Sequence, residues 1–186
     1  MRVAVYGASG DFAPPGSIST EQARLWLCGW ERDPRQTAWD FAACDSEETG
    51  PEDGHAQNVL DGDPRTIWHT EWAQWQPPHP HAITIDLGCV EQVSGLYYLP
   101  RQDGANGRIA RFRVLVAAVS AADDISEDAE GEWIVAAEGE FSNDRRLKTV
   151  RFAKAHATRY VRIVALSEVN GNPWTSAAEL CPMLED

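Results

Sequence analysis

From residue 39 onward, short runs of alternating apolar and polar residues are separated by turn residues. In 83–87 every second residue is apolar, which is typical of a half-buried strand, and Gly88 is predicted to end it. Further strands are predicted at 93–99, 111–116, 133–136, 149–152 and 160–166. In 111–116 and in 160–166, the alternate apolar residues are expected to share one buried face. No helical pattern separates the strands, so the sequence excludes a parallel α/β sheet and indicates a β-sandwich or barrel.

The first 37 residues do not share this pattern. Ser19-Thr20-Glu21-Gln22 resembles a capping box and predicts a short helix over 23–28. Residues 117–132 carry a cluster of acidic residues, which is typical of a solvated loop. We therefore predict a short irregular N-terminal extension, residues 1–37, of unassigned role, followed by one domain, residues 38–186.

Charge and hydropathy exclude several classes of partner. The formal net charge of −13 argues against nucleic acid, because a phosphate backbone requires a basic surface. The same charge argues against unaided binding to anionic membranes. No apolar run approaches the length of a transmembrane helix, so we expect no membrane insertion.

One oxygen-rich turn, Asp61-Gly62-Asp63-Pro64, precedes a stretch with two tryptophans and a histidine. Its carboxylates and the nearby hydroxyl of Thr66 are hard oxygen donors, which are the ligands that calcium prefers. Gly62 permits the backbone to reverse and Pro64 stiffens it. The turn therefore predicts a calcium site, with an ordinary polar surface turn as the alternative.

Three motifs in order along the chain carry a resemblance to a known family: NVLDGDPRTIWHT at 58–70, RQDG at 101–104 and LSEVNGNPWTSAAEL at 166–180. Together they resemble a discoidin domain (factor V/VIII type C). More narrowly, the chain is similar to family 32 carbohydrate-binding modules, such as those attached to galactose oxidase and to bacterial sialidases. The resemblance covers about residues 38–182. It implies an all-β fold of the galactose-binding-domain-like class, an eight-stranded jelly-roll β-sandwich.

The resemblance also implies a complete calcium site. In the family pattern the carboxylates at the positions of Asp61 and Glu179 close one site between the turn and the end of the chain. The remaining oxygens would come from the carbonyls of Asn58, Asp63 and Ala178 and from the hydroxyl and carbonyl of Thr66. Such a set suits a structural calcium ion and is poor for zinc.

A neutral sugar is held by an aromatic ring against its C–H face and by planar polar side chains that grip neighbouring hydroxyls. The chain has eight tryptophans, some of them in Pro-, His- or Asn-rich segments where a ring can be exposed. The resemblance places the sugar contacts at Glu52, His69, Arg101 and Asn106, with Trp72 or Trp75 as the aromatic platform.

Two features keep this assignment open. Family modules often carry an aromatic residue two positions after the histidine, whereas this chain has Glu71, so the platform is not fixed. Each polar residue also has an ordinary structural alternative, because Arg101 can simply pair with Asp103, and His69 and Asn106 can be plain loop residues.

The function that the resemblance implies is non-catalytic binding of terminal galactose-type sugars on glycans. The main alternative is a protein-interaction or adhesion module that uses the same loops. We expect no enzymatic activity, because paired carboxylates occur only as sequence neighbours (47–48 and 123–124) and no G-x-S-x-G elbow is present. A larger enzyme or surface protein is a further expected partner.

The segment 76–81 contains His79 and His81 close together, but it offers no third ligand, so we expect no zinc site there. Four cysteines allow two disulfides without requiring any. The resemblance implies that Cys44 and Cys181 lie close together, because the first and last strands of a discoidin sandwich are neighbours, and it leaves Cys28 and Cys89 without an obvious pairing. It also implies an extracellular location. The sequence start lacks the long apolar core of a signal peptide, so a cytoplasmic location stays open.

Overall fold

The computed structural model of the protein describes residues 38–117 and 133–185. The predictions for residues 1–37, including the helix at 23–28, and nearly all of the acidic loop fall outside these described residues. The described part contains eight strands and one short 3₁₀ helix, Ala56–Leu60. The strands are β1 (Asp40–Cys44), β2 (Trp68–His69), β3 (His81–Leu99), β4 (Arg111–Ala117), β5 (Ile134–Glu140), β6 (Lys148–Ala165), β7 (Ser176–Ala177) and β8 (Glu179–Leu184). The predicted all-β class is confirmed.

All strand pairs are antiparallel, and six strands form one sheet in the order β1-β3-β6-β4-β5, with β8 on a second part of β3. The first part of β3 pairs with β1, whereas its second part, from Val93 on, pairs with β8. β2 and β7 form a separate two-stranded ladder in which Trp68 lies opposite Ala177. This small ladder fixes the loops at one end of the sandwich.

The two longest strands each join two of the predicted ones. The prediction that Gly88 ends a strand is wrong, because β3 continues through it to Leu99. Gly88 has a φ of +77°, and a Cβ there would lie 2.9 Å from the carbonyl oxygen of Ala38. The pairing of β3 with β6 shifts register between Asp86 and Glu91. The glycine therefore allows an irregularity within a continuing strand rather than a turn.

The predicted alternation on β4 and β6 is confirmed. Phe112, Val114 and Val116 are buried, while Arg111 and Arg113 between them are exposed. The apolar positions 161, 163 and 165 of β6 are likewise buried. Residues from both parts of β3 belong to one hydrophobic core, which includes the fully buried side chains of Trp68, Tyr98, Ile83 and Leu96.

The pairing of Cys44 with Cys181 in a disulfide is wrong. Cys44 and Cys89 carry thiols, whereas Cys181 is disulfide-bonded. Cys44 lies opposite Ile83 on β3, but Cys181 lies opposite Tyr97, on the other part of the same strand. The first and last strands therefore pair with different parts of β3. Cys28, the remaining cysteine, lies outside the described residues. Among the helices of the described part, none could span a membrane.

Candidate functional site

Loops that are distant in sequence meet at one end of the sandwich through backbone hydrogen bonds. The amide of Glu48 donates to the carbonyl of His69 (2.8 Å), and the amide of His69 donates to the carbonyl of Gly54 (3.1 Å). On the other side, the amide of Thr70 donates to the carbonyl of Thr175 (2.9 Å). The segment around His69 is therefore held between the loop 46–54 and the loop 173–175.

The turn that carries Asn106 packs directly onto β7. Gly107 has a φ of +79°, and a Cβ at this position would lie 2.7 Å from the amide nitrogen of Ser176. The amide of Ser176 donates to the carbonyl of Gly107 (2.7 Å), and its hydroxyl donates to the carbonyl of Asn106 (2.8 Å). Only glycine permits this approach and this conformation together. The predicted Asn106 is consequently placed at the same end of the sandwich, with its side chain exposed.

The guanidinium of Arg101 is bound by two carboxylates. Its Nε donates to Asp103 Oδ1 (2.8 Å), and its Nη2 donates to Asp103 Oδ2 (3.1 Å) and to Glu52 Oε1 (3.3 Å). Burial alone would lower the pKa of Arg101, but Asp103 and Glu52 outweigh it and raise the pKa. The structural alternative, a pair with Asp103, is thus present. Nη1 makes no hydrogen bond within the described residues, so its donors are available to a ligand.

Glu52 also binds the predicted platform residue. Its Oε2 accepts a hydrogen bond from Trp72 Nε1 (3.1 Å), while its Oε1 faces Arg101. One carboxylate therefore fixes an indole and a guanidinium relative to each other. An aromatic ring beside a forked cation and a carboxylate is the combination that recognition of a neutral sugar requires.

His69 is buried, and its Nδ1 lies 2.6 Å from the carbonyl oxygen of Thr70. A carbonyl can only accept, so Nδ1 carries the proton and Nε2 is the acceptor. Burial lowers the pKa of His69, although the nearby carboxylates of Glu52 and Glu48 oppose this effect. The imidazole is therefore neutral near pH 7 and can accept a hydrogen bond from a hydroxyl group.

Glu48 supports this site, although no motif in the sequence singled it out. Its buried carboxylate accepts hydrogen bonds from the amides of Trp72 (3.1 Å), Ala73 (2.9 Å) and Gly50 (2.9 Å). The bond from Trp72 and those from the other two amides lower the pKa of Glu48, so it stays ionised. The only sequence signal was an acid two residues before a glycine, which is too common to indicate a role.

The oxygen-rich turn is closed by its own hydrogen bonds. Asp61 accepts from the amide of Asp63 (2.7 Å) and from the hydroxyl of Thr66 (2.7 Å), and that hydroxyl also lies 2.7 Å from the carbonyl of Asp63. The carboxylate of Asp63 pairs instead with Arg65, at 2.5–3.1 Å. The side chain of Asp63 is therefore engaged by Arg65, and its carbonyl accepts a hydrogen bond within the turn.

Glu179 is a buried carboxylate beside this turn. Burial, and next the charges of Asp61 and Asp63, raise its pKa to about 9. Its Oε1 is buried and has no hydrogen-bond partner in the structure. Across 38–117 and 133–185, no three His, Cys, Asp or Glu side chains gather as a metal-binding group, so a cation here would depend on two carboxylates and on carbonyl oxygens. An orphaned carboxylate oxygen beside a second carboxylate fits such a cation.

His81 lies in a buried hydrogen-bond network that connects Asp45 with the loop 173–175. It is fully buried, with Nδ1 2.6 Å from Asp45 Oδ2 and Nε2 2.7 Å from the carbonyl oxygen of Pro173. Both neighbours act as acceptors, so the ring carries two protons and a positive charge. The neighbouring His79 bonds the hydroxyl of Thr175 through Nε2 (3.1 Å), and burial, followed by the charge of His81, lowers its pKa. Both histidines are engaged in hydrogen bonds.

We expect His81→Gln to destabilise the fold by about 1 kcal/mol at pH 6 and by less at pH 8.5. Burial would lower the pKa of His81, but Asp45 and the carbonyls of Pro173 and Pro77 raise it overall. A raised pKa adds stability that is complete below pH 6.5 and is lost as the pH rises through the folded-state pKa. The effect is kept small because the Asp45 side chain is 36% exposed and therefore screened by water.

Urea unfolding of wild type and His81→Gln from pH 5.5 to 9 measures this difference. Taking the difference between the two proteins cancels the opposing contribution of His69, whose pKa is lowered. The contribution of His79 changes as well, because the charge of His81 is one cause of its lowered pKa, and this change reduces the difference at low pH. His156→Gln, on the other part of β6, is the matched control. A destabilisation that does not change with pH would contradict a charged His81.

Comparisons with known proteins agree with this fold. The model of the F5/8 type C domain family matches residues 42–180. A sialidase of Micromonospora viridifaciens is 38% identical over 146 residues, which are 78% of this chain and 21% of the sialidase. A galactose oxidase of Gibberella zeae is 39% identical over 139 residues, which are 74% of this chain and 18% of the oxidase. The chain thus spans about a fifth of the length of these curated relatives.

A solved structure from Clostridium perfringens, CpGH89CBM32-5 in complex with GalNAc-β-1,3-galactose, is also similar. Its TM-score is 0.66 at 30% sequence identity, and the match covers 81% of this chain and 97% of that one. The match therefore extends over nearly the whole of that chain.

Proposed function

Because the chain belongs to the F5/8 type C domain family, we propose that it binds carbohydrate, without catalysis, at the end of the sandwich that carries Glu52, Trp72 and Arg101. The observation that carries this proposal is the carboxylate of Glu52, which holds the indole of Trp72 and the guanidinium of Arg101 side by side. A sugar ring needs both groups at once, one for its C–H face and one for its hydroxyls.

We further propose that the sugar is a terminal galactose-type residue. An axial hydroxyl at C4 leaves one face of galactose with an unbroken patch of C–H groups, which can stack on Trp72. Nη1 of Arg101 would donate to neighbouring hydroxyls, Glu52 and Nε2 of His69 would accept from them, and the exposed amide of Asn106 would complete the ring of contacts. The GalNAc-β-1,3-galactose held by the similar C. perfringens structure supports this class of ligand.

The length of the relatives supports a proposal about context. This chain corresponds to about a fifth of the sialidase and of the galactose oxidase, so we propose that it serves as a binding module for a larger enzyme or surface protein. In that role it would hold the partner against galactose-containing glycans outside the cell.

A structural calcium ion is a further part of the proposal. The carboxylates of Asp61 and Glu179 would hold it, together with the carbonyls of Asn58, Asp63 and Ala178 and with the hydroxyl and carbonyl of Thr66. The unpartnered Glu179 Oε1 supports this assignment, because a buried carboxylate oxygen without a donor is unfavourable, and a bound cation would replace the proton that the raised pKa otherwise retains. The ion would tie the turn before β2 to the start of β8.

Titration calorimetry of the protein with galactose, N-acetylgalactosamine and glucose tests the proposed function. We expect saturable binding of the first two and weaker binding of glucose, whose equatorial hydroxyl at C4 interrupts the C–H patch. If none of the three sugars nor any larger galactoside binds, the carbohydrate proposal is rejected in favour of a protein-interaction or adhesion module.

A further inference from the structure

Trp75 is an exposed aromatic residue beside the proposed site. It is 64% exposed, more than any other large apolar side chain in the described residues, whereas Trp68 is fully buried and Trp39 nearly so. Single exposed apolar residues are common on protein surfaces. Trp75 differs from such an isolated residue in its position, in the restraint on its loop and in its uncharged sequence neighbours.

The position of Trp75 is set by its neighbour Trp72. Three residues of chain span at most ~10 Å, so Trp75 lies within about the length of a disaccharide from the residue that Glu52 holds. The side-chain amide of Gln76 donates to the carbonyl of Trp72 (3.2 Å) and closes the segment 72–76. Trp75 therefore lies within reach of a ligand held at Trp72 and is not part of a distant patch.

The loop that presents Trp75 is fixed at both ends. On one side, Glu48 accepts hydrogen bonds from the amides of Trp72 and Ala73. On the other, His79 bonds the hydroxyl of Thr175, and prolines at 77, 78 and 80 restrict the backbone between. An aromatic side chain on a restrained loop loses little conformational entropy when a ligand stacks on it.

The chemistry around Trp75 favours a neutral polar ligand. No charged side chain occurs from residue 72 to residue 78, and the exposed residues Gln74 and Gln76 adjoin Trp75 in the sequence. An anionic membrane surface would require basic neighbours. An exposed aromatic ring with amide side chains as its sequence neighbours offers stacking together with hydrogen-bond donors and acceptors, which suits a second sugar ring.

We propose that Trp75 forms a second subsite, where it stacks on the sugar unit linked to the terminal galactose-type residue. The proposal rests on the proposed function of the first site. Glu52, Trp72 and Arg101 hold the terminal sugar, and Trp75 makes the module prefer a neutral disaccharide or longer glycan over the free monosaccharide.

The test compares methyl β-galactoside with lactose and with GalNAc-β-1,3-galactose by titration calorimetry. We expect wild type to bind at least one disaccharide about two- to tenfold more tightly than the monosaccharide. Trp75→Ala should remove that difference and leave the affinity for methyl β-galactoside unchanged, whereas Trp75→Phe should retain most of it. Val90→Ala removes another exposed apolar side chain, on β3, and should change nothing.

Each other outcome overturns a specific proposal. Equal affinities of wild type for the monosaccharide and both disaccharides, or unaltered disaccharide binding by Trp75→Ala, would reject the second subsite alone. If Trp75→Ala loses the monosaccharide as well while melting like wild type, Trp75 belongs to the first site and no second subsite exists. If wild type binds none of the three ligands, the proposed function and the second subsite are both rejected.

Discussion

Replacing Arg101 by lysine is expected to weaken galactose binding roughly ten- to hundredfold while leaving the fold intact. Lysine keeps the positive charge that faces Glu52 and Asp103, so neither carboxylate loses its counterion. It cannot keep the planar fork, in which Nε and Nη2 hold the carboxylates while Nη1 points elsewhere. Arg101→Ala should lose only slightly more affinity, because the geometry of the donors accounts for most of the binding.

Calorimetric titration with galactose measures this loss, and thermal melting checks the fold. Arg113→Lys is the matched control, since Arg113 also pairs with a carboxylate, Glu138, but on the exposed face of β4 and β5. It should bind galactose like wild type. If Arg101→Lys binds as tightly as wild type, Arg101 has only the structural role of pairing with Asp103 and Glu52, and the sugar site lies elsewhere.

Alternation of apolar and polar residues predicted the strands that bury one face and expose the other. Alternation identified β4 and one face of β6, because neighbouring side chains on a strand point to opposite sides. The same reasoning wrongly ended a strand at Gly88. The strand β3 continues there, because its pairing with β6 resumes beyond the irregularity. β1, β2, β7 and β8 were not predicted from alternation, and the two-residue strands β2 and β7 are defined by pairing between distant parts of the chain.

Residue types at the candidate site were visible in the sequence, but their arrangement depends on contacts between distant loops. Glu52 and Arg101 are far apart in the chain, and nothing local shows that one carboxylate binds both Arg101 and Trp72. Glu48 was missed because it acts through backbone amides, which leave no pattern in the sequence. The Cys44–Cys181 prediction failed for a related reason, since the pairing of both strands with β3 does not make them neighbours.

Calcium is expected to raise the melting temperature by about 5–10 °C when present at roughly a hundredfold excess over its dissociation constant. At that excess a ligand that binds only the folded state stabilises it by about 2.7 kcal/mol, and 1 kcal/mol corresponds to about 2–4 °C for a domain of this size. The physical reason is Glu179, whose buried Oε1 lacks a partner and whose pKa is raised to about 9 by burial and by Asp61 and Asp63. A bound cation would offset both the repulsion of Glu179 by Asp61 and Asp63 and the cost of burying the Glu179 carboxylate.

Melting curves with calcium and with a chelator measure the shift, and two variants of the same turn assign it. Asp61→Ala should abolish the response, because Asp61 would supply one of the two carboxylates. Asp63→Asn should retain most of it, since the Asp63 side chain pairs with Arg65 and only its carbonyl would face the ion. Both variants remove one negative charge from the turn.

If both variants lose the calcium-induced rise in melting temperature equally, calcium binding depends on the net charge of the turn and not on a defined set of ligands. A wild type that melts at one temperature in calcium and in chelator would mean that the turn is stabilised by the bonds from Asp61 to Thr66 and Asp63 alone.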